Sequence, residues 1–287
     1  MQEPYCFCTL AVGDRYRQHA ALLAQDLLLH APHVPLLLLT DQPDDFKAFP
    51  NVQGVLHYLQ SVKGYHDKRF VLMAALDRFE SCLFVDADVR VLGPLPEQMG
   101  FMFGIVARYG CGIIKHSAEG KVRPAFKLIQ SVAQALKLDL TEVLWFHEFM
   151  FMITRQQGKE KDFFLAWEAI AHYFQSQGIH DGEGSVMGLA AAHSGFDIHF
   201  QRRDFFPCFK DNIQKEKIKE GNADFPAMAA EFKTHREIEY PQRSLFQKIA
   251  NRLKIQTAFT YRLLKFRLHA IRSDPWQALI SAQTHKK

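Results

Sequence analysis

The fold is decided by Cys82-Leu83-Phe84-Val85-Asp86-Ala87-Asp88-Val89-Arg90-Val91-Leu92. Residues 82–85 are a continuous apolar run, the pattern of a strand covered on both faces in a parallel sheet. The run leads straight into two carboxylates, Asp86 and Asp88, at i and i+2. In extended backbone such side chains point to the same face. The carboxyl end of a strand is where an open α/β sheet binds ligands. Two acids there repel one another unless a cation or proton sits between them. A divalent Mg²⁺ or Mn²⁺ is the natural partner, because these ions take oxygen ligands and keep positions open for phosphate oxygens. The bland alternative is a loop in which Asp86 and Asp88 cap the next element, since an isolated Asp-x-Asp is common. This pair ends an apolar strand and follows an apolar helix, which favours ligand binding.

Upstream, 66–79 reads as a helix whose 70–76 segment is apolar nearly all round and therefore buried. Residues 52–59 are a weaker strand, and 34–39 is a short apolar run ending at Thr40-Asp41. Before it, Ala20, Leu23, Ala24, Leu27 and Ala31 form one helical face, opened by Gly13-Asp14 and closed by Pro32. Residues 5–12 read as the first strand. This alternation implies βαβ units and a mostly parallel sheet, an α/β fold. Downstream, strands are expected at 101–106, 112–114, 149–154 and 197–200. Helices are expected after Pro124, on the face Phe163, Trp167, Ile170, Ala171 and Phe174, and at 185–193. Beyond Asp204 the pattern weakens until a helix-prone tail at 242–270, where Phe246, Ile249, Leu253, Phe259, Leu263, Phe266 and Ala270 mark an apolar stripe.

The 287 residues suit one large domain or one with an appendage, divided here as 1–240 and a basic tail, 241–287. An apolar share of 48%, a charged share of 23% and 25 Phe argue against disorder, collagen and coiled coil. The longest apolar stretches, 34–39 and 70–76, fall far short of the roughly 18 residues that span a bilayer. Met1-Gln2-Glu3-Pro4 lacks the features of a secretory leader. Five cysteines without a Cys-x-x-Cys argue against a disulfide framework or structural zinc, so a reduced, cytoplasmic protein is expected. Cys6 and Cys8 alternate on the first strand, one expected to be buried and the other to face a packing partner. The net charge of +4 hides an asymmetry: the tail has ten Lys/Arg against one acid, and the remainder 25 basic against 30 acidic residues.

His66-Asp67-Lys68-Arg69-Phe70 opening a helix, then Leu83-Phe84-Val85-Asp86-Ala87-Asp88 with Leu92-Gly93-Pro94-Leu95 behind it, resembles the GT-A fold nucleotide-sugar glycosyltransferases, nearest the glycogenin and lipopolysaccharide galactosyltransferase type (family 8-like). The resemblance covers about residues 5–200. It implies a Rossmann-like, mostly parallel central sheet flanked by helices, to which this chain adds the basic helical extension. It implies a UDP-sugar donor, a glycan or glycolipid acceptor, Mn²⁺ or Mg²⁺, and a retaining outcome. Thr9 and Val12 would line the uridine pocket, with Tyr16 stacking nearby and Asp41 meeting the base or ribose. Arg69 would face the diphosphate and donor sugar, with Lys68 as its near substitute. Asp86 and Ala87 would touch the nucleotide, and Asp86, Asp88 and a late His would hold the metal. His235 in Phe232-Lys233-Thr234-His235 is the best candidate, although the Gly and Lys of the family's His-x-x-Gly-x-x-Lys are missing; His199 competes. Where the family has Asn and Ser against the donor sugar, this chain has His147 and Glu148. Asp181-Gly182-Glu183-Gly184 keeps the family's acids and lacks its Gln. These departures bear on the identity of the sugar.

Each candidate has an ordinary reading. Arg69 pairs with Glu80 or Asp77 on a helix surface; Asp181 and Glu183 belong to a solvated loop; His147 is a satisfied structural histidine. In the functional reading, metal and basic residues hold the leaving diphosphate. A carboxylate among Asp181, Glu183 and Glu148 supports the oxocarbenium-like sugar. A phosphatase with a nucleophilic Asp also uses Asp-x-Asp, but here Val89-Arg90-Val91 follows where a Thr or Ser is expected. A non-catalytic binding module is the other alternative. For the tail, attachment to an anionic membrane face is expected from its cations and apolar stripe. Nucleic-acid binding is not, because the body is acidic and no recognition motif occurs.

Overall fold

The computed structural model describes residues 5–118 and 123–284. The start read for a leader, residues 1–4, and Lys286 and Lys287 of the basic tail lie outside them. The chain runs β1 (Tyr5–Ala11), α1 (Asp14–His30), β2 (Leu36–Thr40), β3 (Val52–Leu56), α2 (Lys68–Leu76), β4 (Ser81–Val85), β5 (Arg90–Val91), β6 (Gly104–Ala107), β7 (Gly110–Gly112), α3 (Ile113–Ala118) and α4 (Arg123–Leu136). It continues with β8 (Leu144–Phe146), β9 (Met150–Thr154), α5 (Lys159–Ser176), α6 (Glu183–Ser194), β10 (Ile198–Phe200), β11 (Cys208–Phe209), α7 (Asp211–Lys219), α8 (Ala229–Glu239), α9 (Leu245–Arg272) and α10 (Pro275–Thr284). This is an α/β protein with a seven-stranded, mostly parallel central sheet flanked by helices. The chain forms two compact units: Met1–Tyr58, Val85–Gly100 and Asp204–Thr257 make the first, and Leu59–Phe84, Phe101–Arg203 and Ala258–Lys287 the second.

In the first unit β1, β2 and β3 lie side by side, all parallel, with Phe7 opposite Leu36 and Leu36 opposite Val52. The apolar run 34–39 becomes β2, buried along its whole length, as a parallel strand covered on both faces must be. The same cover corrects the expectation for the first strand: Cys6 and Cys8 are both fully buried. Strand β3 keeps an exposed face, which explains its weaker apolar signal. Ala20, Leu23, Ala24 and Leu27 of α1 form the buried stripe that their spacing predicts. Asp26 of α1 holds the segment behind the acidic pair, accepting from Arg90 Nε at 2.6 Å, Arg90 Nη2 at 2.8 Å and the Val91 amide at 3.1 Å. There β5 pairs antiparallel with β11, whose Phe209 meets Phe232 of α8 edge-on at 5.0 Å.

In the second unit the strand order is β10, β6, β9, β4, with β10 parallel and β9 antiparallel to β6. Strands β4 and β9 are buried throughout, and Phe84 stacks on Phe151 at 5.3 Å. Helix α5 buries Phe163, Trp167 and Phe174. Helix α6 lies directly on β8, because Gly184 and Gly188 face it: a Cβ on Gly188 would run into the Leu144 carbonyl, and one on Gly184 into the Phe146 carbonyl. The tail packs here through Phe266 against His172 at 4.9 Å and Trp276 against Tyr173 at 4.8 Å.

Candidate active site

The candidate residues fall into two sets, one in each unit. In the first unit they gather after the carboxyl ends of β1 and β2. Thr9 is fully buried on β1 and its hydroxyl has no hydrogen-bond partner among the described residues. Val12 precedes Gly13, whose φ of +93° turns the chain into α1. Asp41 clamps this turn: its Oδ1 accepts from the Gly13 amide at 3.0 Å and from Arg17 Nη1 at 2.7 Å. Burial opposes its ionisation, but these donors hold its carboxyl below the usual range. Tyr16 is exposed, with the Arg15 guanidinium 4.4 Å above its ring. Ala87 is buried against Ala11, Ala20, Leu38 and Phe46.

Asp86 and Asp88 converge on a single cationic nitrogen. Lys210 Nζ donates to Asp86 Oδ2 at 3.1 Å and also to Asp88 Oδ1. The three side chains are 26%, 21% and 12% exposed, so the group is half-buried and not sealed. Burial pushes the Asp88 carboxyl up, but His235 and Lys210 outweigh it and hold the group well below its ordinary value. Burial likewise opposes the Lys210 charge, and Asp86 and Asp88 overcome it, raising its pKa. His235, on α8, places Nε2 3.9 Å from Asp88 Oδ2 and Nδ1 3.7 Å from Asp211 Oδ1. Its ring lies 5.1 Å from that of His19, whose Nε2 is 3.1 Å from Glu239 Oε1. His19, His235 and Glu239 offer ligand atoms within 4.8 Å of one another. Burial lowers the His19 pKa, which favours the neutral imidazole that ligates metals.

These residues fit a divalent cation by two observations. The side chains of Asp86 and Asp88 already meet at a positive charge, and the carboxylate oxygens and imidazole nitrogen around it are a donor set that Mn²⁺ or Mg²⁺ accepts. Lys210, His19 and Glu239 escaped the sequence reading. Lys210 closes the apolar run Phe205-Phe206-Pro207-Cys208-Phe209, a signal that was present but lay where periodicity fades.

In the second unit Lys68, at the start of α2, donates to the Glu148 carbonyl at 3.2 Å and pairs with Glu183 Oε1 at 3.0 Å. Its ammonium is also 5.1 Å from the centre of the Phe84 ring. Lys68 and Glu183 are both buried, at 9% and 6% side-chain exposure. Gly184 lies against the Glu148 carboxylate, where a Cβ would come within 2.8 Å of Oε2. Lys68, Glu148 and Glu183 therefore form one cluster. Arg69 turns to Glu168 of α5 at 3.0 Å, in place of the Glu80 or Asp77 of the ordinary reading. Asp181 sits at the surface with Lys63, 3.3 Å away. His199 lies on β10. His66 accepts from Trp167 Nε1 at Nδ1 over 3.2 Å, and burial lowers its pKa to about 4.

No protein-family model matches the chain, and no curated protein matches it. Among solved structures, the chain is similar to the galactosyltransferase LgtC in complex with donor and acceptor sugar analogues, at 11% identity and a TM-score of 0.47 over 68% of this chain and 72% of that one. It is also similar to the bifunctional glycosyltransferase WbbM, at 13% identity and a TM-score of 0.45 over 70% of this chain and 39% of that one. Likeness at this distance leaves the reading of the chain to its own residues.

Proposed function

We propose that the chain is a glycosyltransferase that moves a sugar from a nucleoside-diphosphate donor, a UDP-sugar, to a glycan or glycolipid acceptor. The observation that carries this reading is the convergence of Asp86 and Asp88 on one cationic point, with His235 beside Asp88. The Asp41-clamped turn after β1, with Thr9, Val12 and Tyr16, holds the uridine, and Ala87 forms an apolar wall. Asp86, Asp88 and His235 would hold Mn²⁺ or Mg²⁺, which when bound neutralises charge on the diphosphate. Lys210 adds a second positive charge from the chain itself, stabilising a leaving group that gains negative charge as the glycosidic bond breaks. Within the second unit Lys68 keeps Glu183 paired beside Glu148, and the role of supporting an oxocarbenium-like sugar is assigned to one of these carboxylates. Asp181, at the surface, accepts from an acceptor hydroxyl. Arg69 is a positioning residue that ties α2 to α5 through Glu168. A retaining outcome follows the family resemblance alone.

The test is UDP-sugar turnover with Mn²⁺. Wild-type protein is expected to release UDP, and Asp88→Ala to lose about a hundredfold or more, as when an electrostatic contact to a developing anion is removed. Full activity in Asp88→Ala overturns the role assigned to the pair. A non-catalytic nucleotide-binding module is the second reading, favoured by the Lys210 ammonium seated between the two carboxylates. Thermal shift with UDP, GDP and Mn²⁺, read beside turnover, separates the two, because a binder of the native state raises the melting temperature with or without chemistry.

The division into a catalytic body, 1–240, and a basic tail, 241–287, belongs to the same proposal, as do a cytoplasmic location and peripheral attachment to an anionic membrane. No described helix is long and apolar enough to cross a membrane. Phe246, Ile249 and Leu253 share one exposed face of α9 among Lys248, Arg252 and Lys254, an arrangement suited to lying on such a surface.

A further inference from the structure

Residues that follow two parallel neighbours emerge side by side at the carboxyl ends of the strands. In the second unit β10 pairs with β6, Phe200 opposite Ala107, and the Gln201 amide donates to the Ala107 carbonyl at 3.0 Å. Arg108 follows one strand, and Arg202 and Arg203 follow the other. With Lys115 of α3 and the rings of Tyr109 and Phe200, they line an open pocket of about 600 Å³. Among the described residues no lining residue is acidic. Among the described residues Lys115, Arg202 and Arg203 form no ion pair, so their charge is uncompensated within the described chain.

Two further features show a built pocket. Arg202 adopts φ +58°, a left-handed backbone that a non-glycine residue takes at a cost and that sets the course of the Arg202-Arg203 turn. Gly110 makes room for the Phe200 ring, since a Cβ there would run into it and into the Trp145 carbonyl. The pocket also adjoins an acid of the proposed chemistry. The His147 amide donates to the Tyr109 carbonyl at 3.0 Å, and the Arg108 guanidinium lies 6.0 Å from the centre of the Phe149 ring, so both neighbours of Glu148 touch the pocket lining.

Guanidinium groups match phosphate oxygens in pairs, and a phosphomonoester carries close to two negative charges at neutral pH. A single carboxylate would leave most of this charge unmatched. Aromatic faces at the same pocket suit the apolar face of a pyranose. We infer that this pocket binds a phosphorylated saccharide, with Lys115, Arg202 and Arg203 on the phosphate and Tyr109 or Phe200 under the sugar. Resting on the proposed glycosyl transfer, this makes the acceptor a phosphate-bearing glycan.

The experiment titrates the full chain with glucose 6-phosphate, glucose and inorganic phosphate by calorimetry, in wild type and in the Arg202→Ala/Arg203→Ala double variant. Glucose 6-phosphate is expected to bind saturably and more tightly than either glucose or phosphate, and the double variant to weaken it about a hundredfold, two charge-assisted contacts being lost. Equal binding by the double variant, binding of glucose as tight as its phosphate, or binding of inorganic phosphate as tight as the sugar phosphate overturns the inference. So does arginine-dependent binding of a short DNA oligonucleotide tighter than that of the sugar phosphate. Melting temperature and UDP thermal shift are read on the same two proteins. An unchanged melting temperature shows that the variant is folded. A missing UDP shift in wild type counts against the donor assignment alone, because the calorimetry decides the pocket by itself.

Discussion

Replacing Lys210 by Met removes the ammonium shared by Asp86 and Asp88 and keeps most of the apolar stem. Two carboxylates are then left facing each other without their counter-charge. Deleting one partner of a buried ionic group costs several kcal/mol, and the partial exposure here lowers the expected loss to about 2 kcal/mol. On the proposed metal site, Mn²⁺ is expected to restore what the ammonium supplied. Its stabilisation reaches about 2.7 kcal/mol at a hundred times the dissociation constant. At that proposed site wild type is expected to gain less at the same concentration, because Lys210 already occupies both carboxylates. Differential scanning fluorimetry across an Mn²⁺ titration checks this: a larger rise in Lys210→Met than in wild type is expected, and equal rises remove the shared cation point. The acidic pair itself was legible in the sequence as an Asp-x-Asp behind an apolar strand, but β4 stops at Val85 and the Val89 amide donates to the Asp86 carbonyl at 3.0 Å, so the two aspartates meet through a turn and not through the extended spacing that the sequence suggests. Its counter-ion was not, because Lys210 stands 122 positions from Asp88 and reaches it only through the pairing of β11 with β5.

Helix α9 shows the same division along one element. The sequence marks an apolar stripe from Phe246 to Ala270, and the helix uses it in two ways. Phe259 meets His180 at 5.9 Å and Phe266 meets His172, so the later part of the stripe is half-buried. Phe246, Ile249 and Leu253 stay exposed, Phe246 to 85%. Periodicity reports a face and leaves open what covers it. The exposed part is the membrane-facing candidate. Each nearby Lys or Arg adds about 1 kcal/mol at an anionic surface, and each buried apolar side chain adds roughly 1.5–3 kcal/mol. Full-length protein is expected to co-sediment with phosphatidylglycerol vesicles at low salt and not with phosphatidylcholine alone. Changing Phe246, Ile249 and Leu253 to Ser should reduce that binding about a hundredfold or more. Undiminished sedimentation of the triple variant would remove the helix from the membrane assignment.

Across the whole molecule, the buried titrating groups define a window of stability. His66 is neutral in the fold, with a pKa of about 4 against 6.5 unfolded, because burial penalises its charged form. The unfolded chain therefore takes up this proton first. The histidine's contribution is complete above pH 6.5 and lost progressively as pH falls towards 4, by about 3 kcal/mol. Asp88 acts lower: its depressed pKa gives stability that is full above the ordinary 3.8 and lost as pH falls through the folded value. Lys210 has a raised pKa, so its contribution is full below 10.5 and fades as pH rises through the folded value. Urea unfolding from pH 7 to pH 4 should show a smaller decline in His66→Gln, which keeps an acceptor for Trp167 Nε1 and does not titrate in this range; an identical decline removes His66 from this account. What the sequence determined alone was the alternation of strand and helix through β4, the burial of 36–39 and 82–85, and the presence of two acids directly behind a buried strand, because apolar runs act through local backbone geometry; the strand expected at 112–114 gives way to α3 from Ile113, and the elements between Asp204 and the tail left no periodic signal. What only the tertiary structure decided was the company those residues keep: Lys210 between the aspartates, His19 and Glu239 beside His235, Lys68 on Glu183, and three arginines and a lysine around one pocket. These partners come from distant stretches of chain, and only strand pairing and helix packing bring them within reach.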